Sequence, residues 1–314
     1  MIHNLDCEFS KLKMNKFNTM CPHCGGLVAF ADDSTVTVTD YNTNGLTEKL
    51  TEKYMAVSRY FTANKLKVND EKTHLVIMSS KKKRELSEIQ VSIRTPSAVI
   101  NPSLSEQLLG VDIHSEMKWQ EYVLYSEKSL MKSLYKRLNA LKRIKKVASF
   151  KTRLMLANGL FCSKLLYCLP LFGGTEQYVL NSLQVAQNEA ARTVTKLGRF
   201  TPVSKLLLQT GWLSVKQLIF LHSVLLVVKI RNSMKPEYLA EKLRMDYKYD
   251  TRISRQNYIR WGPDFRATKT LTLNSWRWYG TSNFNRIPPA IRNIDDPKMF
   301  KIELLPWIRE NIEI

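Results

Sequence analysis

No run of apolar residues in this sequence is long enough to cross a bilayer. The best one, from Leu218 to Val228, contains His222 and stops at Lys229, whereas a helical span takes about 20 residues. The opening stretch, MIHNLDCEFSKLKMNKF, is polar and mixed in charge, so it lacks the apolar core of a secretory signal. Cysteine is scarce. Five in 314 residues, an odd number, argue against a disulfide framework and predict an intracellular, reducing location, cytoplasmic or nuclear. There is no internal repeat. The most uneven absence is of acid: between Glu127 and Glu176 there is none.

What is present is cationic and able to fold. Lys and Arg number 48 against 28 Asp and Glu, a net charge of +20. Charge of that size says nothing about fold, but it attracts phosphate, so nucleic acid is the leading partner and an anionic membrane surface the second. Apolar residues make up 44% of the chain, enough for a core, and the length suits about two domains.

The pattern changes along the chain. GLVAF at 26–30 and STVTVTD at 34–40 read as two short strands, with Val36 and Val38 alternating with threonines, and Ala31-Asp32-Asp33 as the turn. A helix follows, its stripe made by Leu46, Leu50, Tyr54, Val57 and Phe61. THLVIMSS, IQVSIRT and LLGVDI are three further strand-like runs. From about Glu127 to about Leu243 the chain reads as helical. Leu130, Leu134, Leu138, Leu141, Ile144 and Val147 share one helix face, and Lys132, Lys136, Arg143 and Lys146 lie opposite, a basic amphipathic pattern. Beyond about Arg244 the sequence is polar and aromatic and reads as an irregular tail packed on the helices. The expected class is α+β, in five segments: 1–25 irregular, 26–125 mixed strand and helix, 126–170 basic helices, 171–245 further helices, and 246–314 an irregular aromatic and basic tail.

Asp32-Asp33 has two readings from its residues alone. Aspartate favours turns because its carboxylate accepts nearby backbone N–H groups. Adjacent carboxylates also repel unless a cation neutralises them, and Mg²⁺ is held by one or two carboxylates together with substrate phosphates. CPHCGG at 21–26 is a Cys-x₂-Cys step. His3, Cys7 and His23 are the nearby residues that could complete it, so His3, Cys7, Cys21 and Cys24 are a candidate zinc set. A small-residue turn is the alternative. Cys162 and Cys168 sit on apolar stretches and read as core.

FADD at 30–33 resembles the aromatic-x-Asp-Asp hairpin of reverse transcriptases, in the form with alanine second that is found in the non-LTR (LINE or jockey-type) retrotransposon branch. NKLKVNDEKTHLVIM at 64–78 is similar to the next palm motif, and EQLLGVDIHSEMKW at 106–119 to the Leu-Gly primer grip and its following Trp. All three occur in the order and at the spacing of that family. KRLNALKRI looks like its basic thumb helix, YCLPLFGG like its Tyr-Gly-x-x-x-Trp segment with Phe172 in place of Trp, and LNSLQVAQNEAARTVT like its Leu-Gln-x-x-Gln-Asn-x-x-x-Arg helix. PEYLAEKL at 236–243 and FNRIPPAIR at 284–292 resemble its tail, so the likeness runs from Gly26 almost to the end.

The resemblance implies a partial palm over 26–125, a thumb over 126–170 and a helical extension over 171–245. It implies two-metal nucleotidyl transfer, with Asp32 and Asp33 as ligands of Mg²⁺ or Mn²⁺ and Lys72 near the triphosphate. Leu109 and Gly110 would place a primer end; a core strand with a glycine bulge is the alternative. Lys132, Lys136, Arg143 and Lys146 would track the template–primer backbone, or else form a solvated helix face. The expected partners are an RNA or DNA template–primer and a separate N-terminal polymerase or endonuclease part, with no membrane. Palm polymerases use a third carboxylate on an earlier strand. Only Asp6 and Glu8 precede Asp32, in a stretch unlike that strand. The chain by itself is therefore expected not to polymerise, and a non-catalytic nucleic-acid-binding remnant is the alternative.

Overall fold

The structure is a computed structural model that describes residues 19–21, 25–30, 33–78, 91–95, 98–235, 237–240, 243–245, 261–263 and 275–313. It is of mixed α+β type, with helices far outweighing short strands. The described residues divide into two compact units. One takes in those of Met1–Leu108, His114–Met117 and Pro236–Tyr238, the other those of Leu109–Ile113, Lys118–Lys235 and Leu239–Ile314.

The first unit begins with an antiparallel sheet of three strands, β1 (Thr19–Cys21), β2 (Gly25–Phe30) and β3 (Asp33–Thr37), in that order. Leu27 stands opposite Val36, Val28 opposite Thr35, and Phe30 opposite Asp33. The ladder closes so far that only residues 31 and 32 separate the strands, the loop length that suits strand twist best. Asp33, expected in the turn, is instead the first paired residue of β3.

Helix α1 (Thr43–Ala63) starts earlier than its apolar stripe suggests, because the Asn42 side chain accepts from the Gly45 amide at 2.6 Å and caps the first turn. Its Leu46, Leu50 and Tyr54 pack with Val38, Leu75, Ile77, Val91, Ile93 and Ile100 into a small core. The strands over that core are only two residues long. β4 (Leu75–Val76) and β5 (Ile93–Arg94) are followed by β6 (Val99–Ile100), which pairs antiparallel with β5, and β7 (Pro102–Ser103), which pairs parallel with β4. The run expected as one strand at 108–113 is interrupted. β8 (Ser105–Leu108) and β9 (Val111–His114) are separated by Leu109 and Gly110, whose φ values are +49° and +80°. A strand cannot continue through two left-handed residues.

In the second unit, α2 (Leu130–Ile144) buries Leu130, Leu134, Leu138 and Leu141 to 1% exposure or less. Each such leucine contributes roughly 1.5–3 kcal/mol over an exposed one. After α3 (Phe150–Ala157), the stripe meets Phe161, just before α4 (Ser163–Leu166), Leu165 within α4, and Leu183, Ala186 and Ala190 of α5 (Gln177–Thr195). Helices α6 (Val203–Thr210) and α7 (Val215–Ser233) follow. The apolar run that opened the sequence argument lies on α7. Its Phe220, Leu221, Val224, Val227 and Val228 form a second core. No single helix among the described residues is long and apolar enough to cross a membrane.

The glutamine-rich stretch of α5 has a structural reason. The Gln187 amide donates to the Leu213 carbonyl at 2.9 Å, and the Gln184 carbonyl oxygen accepts from the Val215 amide at 2.8 Å. Ser214 and Gln217 close a capping box at the start of α7. Together they tie the first turn of α7 to α5.

After the short α8 (Glu237–Ala240), β10 (Leu243–Met245) pairs antiparallel with β11 (Trp261–Pro263). The tail expected to be irregular over 246–314 is not so where it is described. It carries α9 (Trp276–Arg286), α10 (Pro289–Arg292) and α11 (Pro297–Asn311). Phe284, Phe300, Leu304 and Ile308 of these helices are buried in the α7 core. The periodicity was masked by tryptophans and by prolines, two of which sit harmlessly in the first turn of α10 and α11.

Gly173 shows how closely the tail docks. A Cβ there would lie 2.4 Å from Tyr279 Cε2 and Cζ on α9. Gly173→Ala is therefore expected to destabilise the second unit by about 1–3 kcal/mol. The denaturant midpoint of the helical circular dichroism signal would measure this, and an unchanged midpoint would show that the ring moves freely.

Candidate nucleic-acid interface

The residues assigned by resemblance fall in three places. Asp33 is exposed at the start of β3, opposite Phe30. Asp32 lies outside the described residues, as do His3, Cys7 and Cys24; Cys21 is described only as the last residue of β1. Among the described residues no group of three His, Cys, Asp or Glu could hold a metal ion.

Lys72 projects from a tight 3-10 turn, Asp70–Lys72, and is exposed. The turn is well held. The Asn69 side chain accepts from the Glu71 amide at 3.0 Å, and the Thr73 hydroxyl donates to the Asn69 carbonyl at 2.9 Å. Asp70 accepts from the Tyr54 hydroxyl on α1 and, at 2.9 Å, from the Thr95 hydroxyl. Burial, and then the Asp70 contact, push the Tyr54 phenol up to about 12. Asp70 was not singled out in the sequence, because nothing local distinguishes it from the acids beside it. Its role comes from partners 16 and 25 residues away.

Leu109 and Gly110 border a recess of about 360 Å³ in the second unit, together with Arg137, Ser163, Lys164 and Tyr167. The Tyr167 hydroxyl donates to the Leu109 carbonyl at 2.5 Å. That bond holds leucine in a left-handed conformation (φ +49°) that a side chain disfavours by roughly 1–2 kcal/mol. Cys168, next to Tyr167, is also left-handed at φ +56°. Two unfavourable backbone positions thus adjoin one recess, and such positions persist where surrounding structure holds them. Beneath lies an aromatic cluster in which the Phe172 ring centroid is 5.6 Å from Trp119 and 5.7 Å from Tyr122. Burial pushes the Tyr122 phenol up to about 12.

The recess is cationic. The Arg137 guanidinium is fixed by donation to the Leu160 carbonyl at 3.0 Å, the carbonyl being offered by a π-helical turn, Asn158–Cys162. Lys164 Nζ lies 5.5 Å from the centre of the Tyr167 ring. No acid lines the space. Two cations beside a turn held by the Tyr167 hydroxyl suit a phosphate oxygen. Cys162, whose thiol burial pushes up to about 12, is inert at neutral pH.

The third place is the outer face of α2. Lys132, Lys136 and Arg143 are exposed opposite the buried leucines, and Lys146 is exposed just beyond the helix. Lys142, on the flank, is spent on Glu189 at 3.6 Å, as is Arg192 at 3.3 Å. From Lys128 to Lys235 the only acids are Glu176 and Glu189, and no ion pair among the described residues takes up Lys132, Lys136, Arg143 or Lys146.

The sequence showed Arg137 and Lys164 as part of a charge run, but gave Tyr167 no link to Leu109, 58 residues away. Charge and positioning can be separated. Lys164→Gln is expected to weaken binding of a primed RNA–DNA hybrid and to make the slope of log K against log salt shallower by about one. Tyr167→Phe is expected to weaken it by about fivefold at an unchanged slope, since it removes one neutral hydrogen bond. Titrations at three salt concentrations would read both. Comparisons with known proteins give no match to a family profile, to a curated protein or to a solved structure.

Proposed function

We propose that this chain is the C-terminal portion of a non-LTR retrotransposon reverse transcriptase, the part that grips template and primer. What supports the reading is order. A hairpin around Asp32-Asp33 is followed by α1, the Lys72 turn, the Leu109–Gly110 turn and then the basic helix α2, the succession in which the family's motifs occur. The cationic recess at Leu109–Gly110 and the acid-free face of α2 give the grip its phosphate-binding character. By resemblance Lys72 serves the triphosphate end, and Asp32 and Asp33 would hold Mg²⁺ or Mn²⁺. In this reading the chain's own work is to bind and orient a primed hybrid.

Three measurements test it. Hybrid affinity is expected to fall steeply with salt, by about 0.9 log unit per log unit of salt for each phosphate neutralised. Replacing Lys132, Lys136 and Arg143 together with Glu should abolish binding, and a flat salt response would overturn the grip. Primer extension by the chain alone on a poly(rA) template with an oligo(dT) primer is expected to show no nucleotide incorporation. Incorporation that is lost in Asp32→Ala would show a complete catalytic centre instead. Divalent-linked tightening on a primed end, absent from the Asp32→Ala, Asp33→Ala double variant, would separate a polymerase half from a chain that only binds nucleic acid.

A further inference from the structure

Two turns of the second unit have the same make-up, cations followed by a bare apolar side chain. After α2 the chain reads Lys145-Lys146-Val147, with Val147 88% exposed. After α5 it reads Lys196-Leu197-Gly198-Arg199-Phe200, with Phe200 96% exposed. The fold brings the two turns together. Lys196 Nζ donates to the Lys146 carbonyl at 3.4 Å. Arg153, only 5% exposed, donates to the Val194 carbonyl at 2.8 Å and to the Ala148 carbonyl, joining the same two segments from beneath.

Part of this charge has a local cause. The carbonyl ends of α2 and α5 lie here, and cations complement the negative end of a helix. Lys196 also seals α5 as a left-handed cap at φ +62°. That accounts for Lys196 and Lys145. It does not account for Phe200, which makes no use of helix ends and lies almost wholly in water beside Arg199, four residues beyond the Lys196 that reaches the Lys146 carbonyl. No acid occurs in residues 128–175 or 190–235, so nothing in these segments neutralises the patch.

An exposed aromatic ring among uncompensated cations is the composition that binds unpaired nucleic acid. The ring stacks on a base, and the cations follow the phosphates. Duplex offers no free base face to such a ring. A lipid surface would call for a broad apolar face, and here the exposed apolar side chains, Val147, Phe150 and Phe200, stand as separate tips among cations.

We propose that the Val147 and Phe200 turns form a single-strand binding site, separate from the Leu109–Gly110 recess and adjoining the outer face of α2 at Lys146, with Phe200 as the stacking platform and Lys146 and Arg199 as phosphate contacts. The site stands on its own residues and does not depend on the chain being part of a polymerase.

The test uses the full chain with three ligands: oligo(rU) of about 20 nucleotides, an RNA–DNA hybrid of the same length, and vesicles of phosphatidylserine with phosphatidylcholine. Phe200→Ala is expected to weaken oligo(rU) binding by about fivefold or more while leaving hybrid affinity within about twofold of the parent, the bound on a lost contact that matters little. Phe200→Trp should retain affinity, with indole fluorescence quenched by oligo(rU) beyond that of the parent chain. Lys146→Ala with Arg199→Ala should make the oligo(rU) salt slope shallower by about 1.4. Circular dichroism of each variant matching the parent excludes misfolding, as expected for side chains so exposed. The proposal is overturned if Phe200→Ala leaves oligo(rU) affinity unchanged, if it weakens hybrid equally, or if vesicle binding is what it removes. Hybrid binding retained in full by the α2 variants would strike the polymerase reading and leave this site intact.

Discussion

The buried leucine stripe of α2 is the constraint from which the character of the second unit follows. Leu130, Leu134, Leu138 and Leu141 are removed from water by α4 and α5, and this fixes the rotation of the helix about its axis. Once that rotation is set, Lys132, Lys136 and Arg143 have only one direction to point, outward. The same packing carries Arg137 to the edge of the Leu109–Gly110 recess and Lys142 toward Glu189. Burial of apolar surface therefore decides which cations are free for an anion and which are used within the fold. A basic helix without such a stripe would present its charge in every direction.

The second constraint is the closeness of α5, α7 and the tail. Gln184 and Gln187 hold the first turn of α7 against α5, and Gln217 at that turn donates to the Ile312 carbonyl at 2.9 Å. Arg231, with its side chain 8% exposed, donates to the carbonyls of Arg292 and Ile294 at 2.7 and 2.9 Å. These buried polar groups answer backbone atoms that would otherwise lack partners, which gives the apolar core around α7 a defined alignment. Residues that look like a signature of function in α5 thus have a sufficient mechanical explanation.

Legibility followed the range of the interaction. The stripe of α1, the hairpin at 26–37 and the two faces of α2 were readable because each depends on period and on neighbours in sequence. The three short strands were readable as positions but not as lengths, since two-residue pairings are set by partners elsewhere in the chain. The helices at 276–311 were missed because prolines and tryptophans obscured the period, and their apolar face makes sense only against α7. Asp70 was missed for a related reason: a turn carboxylate with two distant hydroxyl donors looks, in sequence, like any other turn carboxylate.

The sequence by itself determined the sign of the charge, the segment without acids, the α+β order of elements and the likeness of its motifs to those of reverse transcriptases. These are properties of composition and spacing, and they need no fold to be read. Only the tertiary structure decided which residues share a place. It joined Tyr167 to Leu109 at the edge of the recess, set aside Lys142 and Arg192 on Glu189, and linked the turn at Lys146 to the turn at Lys196, while Val147 and Phe200 stay exposed. The physical reason is that hydrogen bonds, ion pairs and burial act over a few ångströms in space, whatever the distance along the chain.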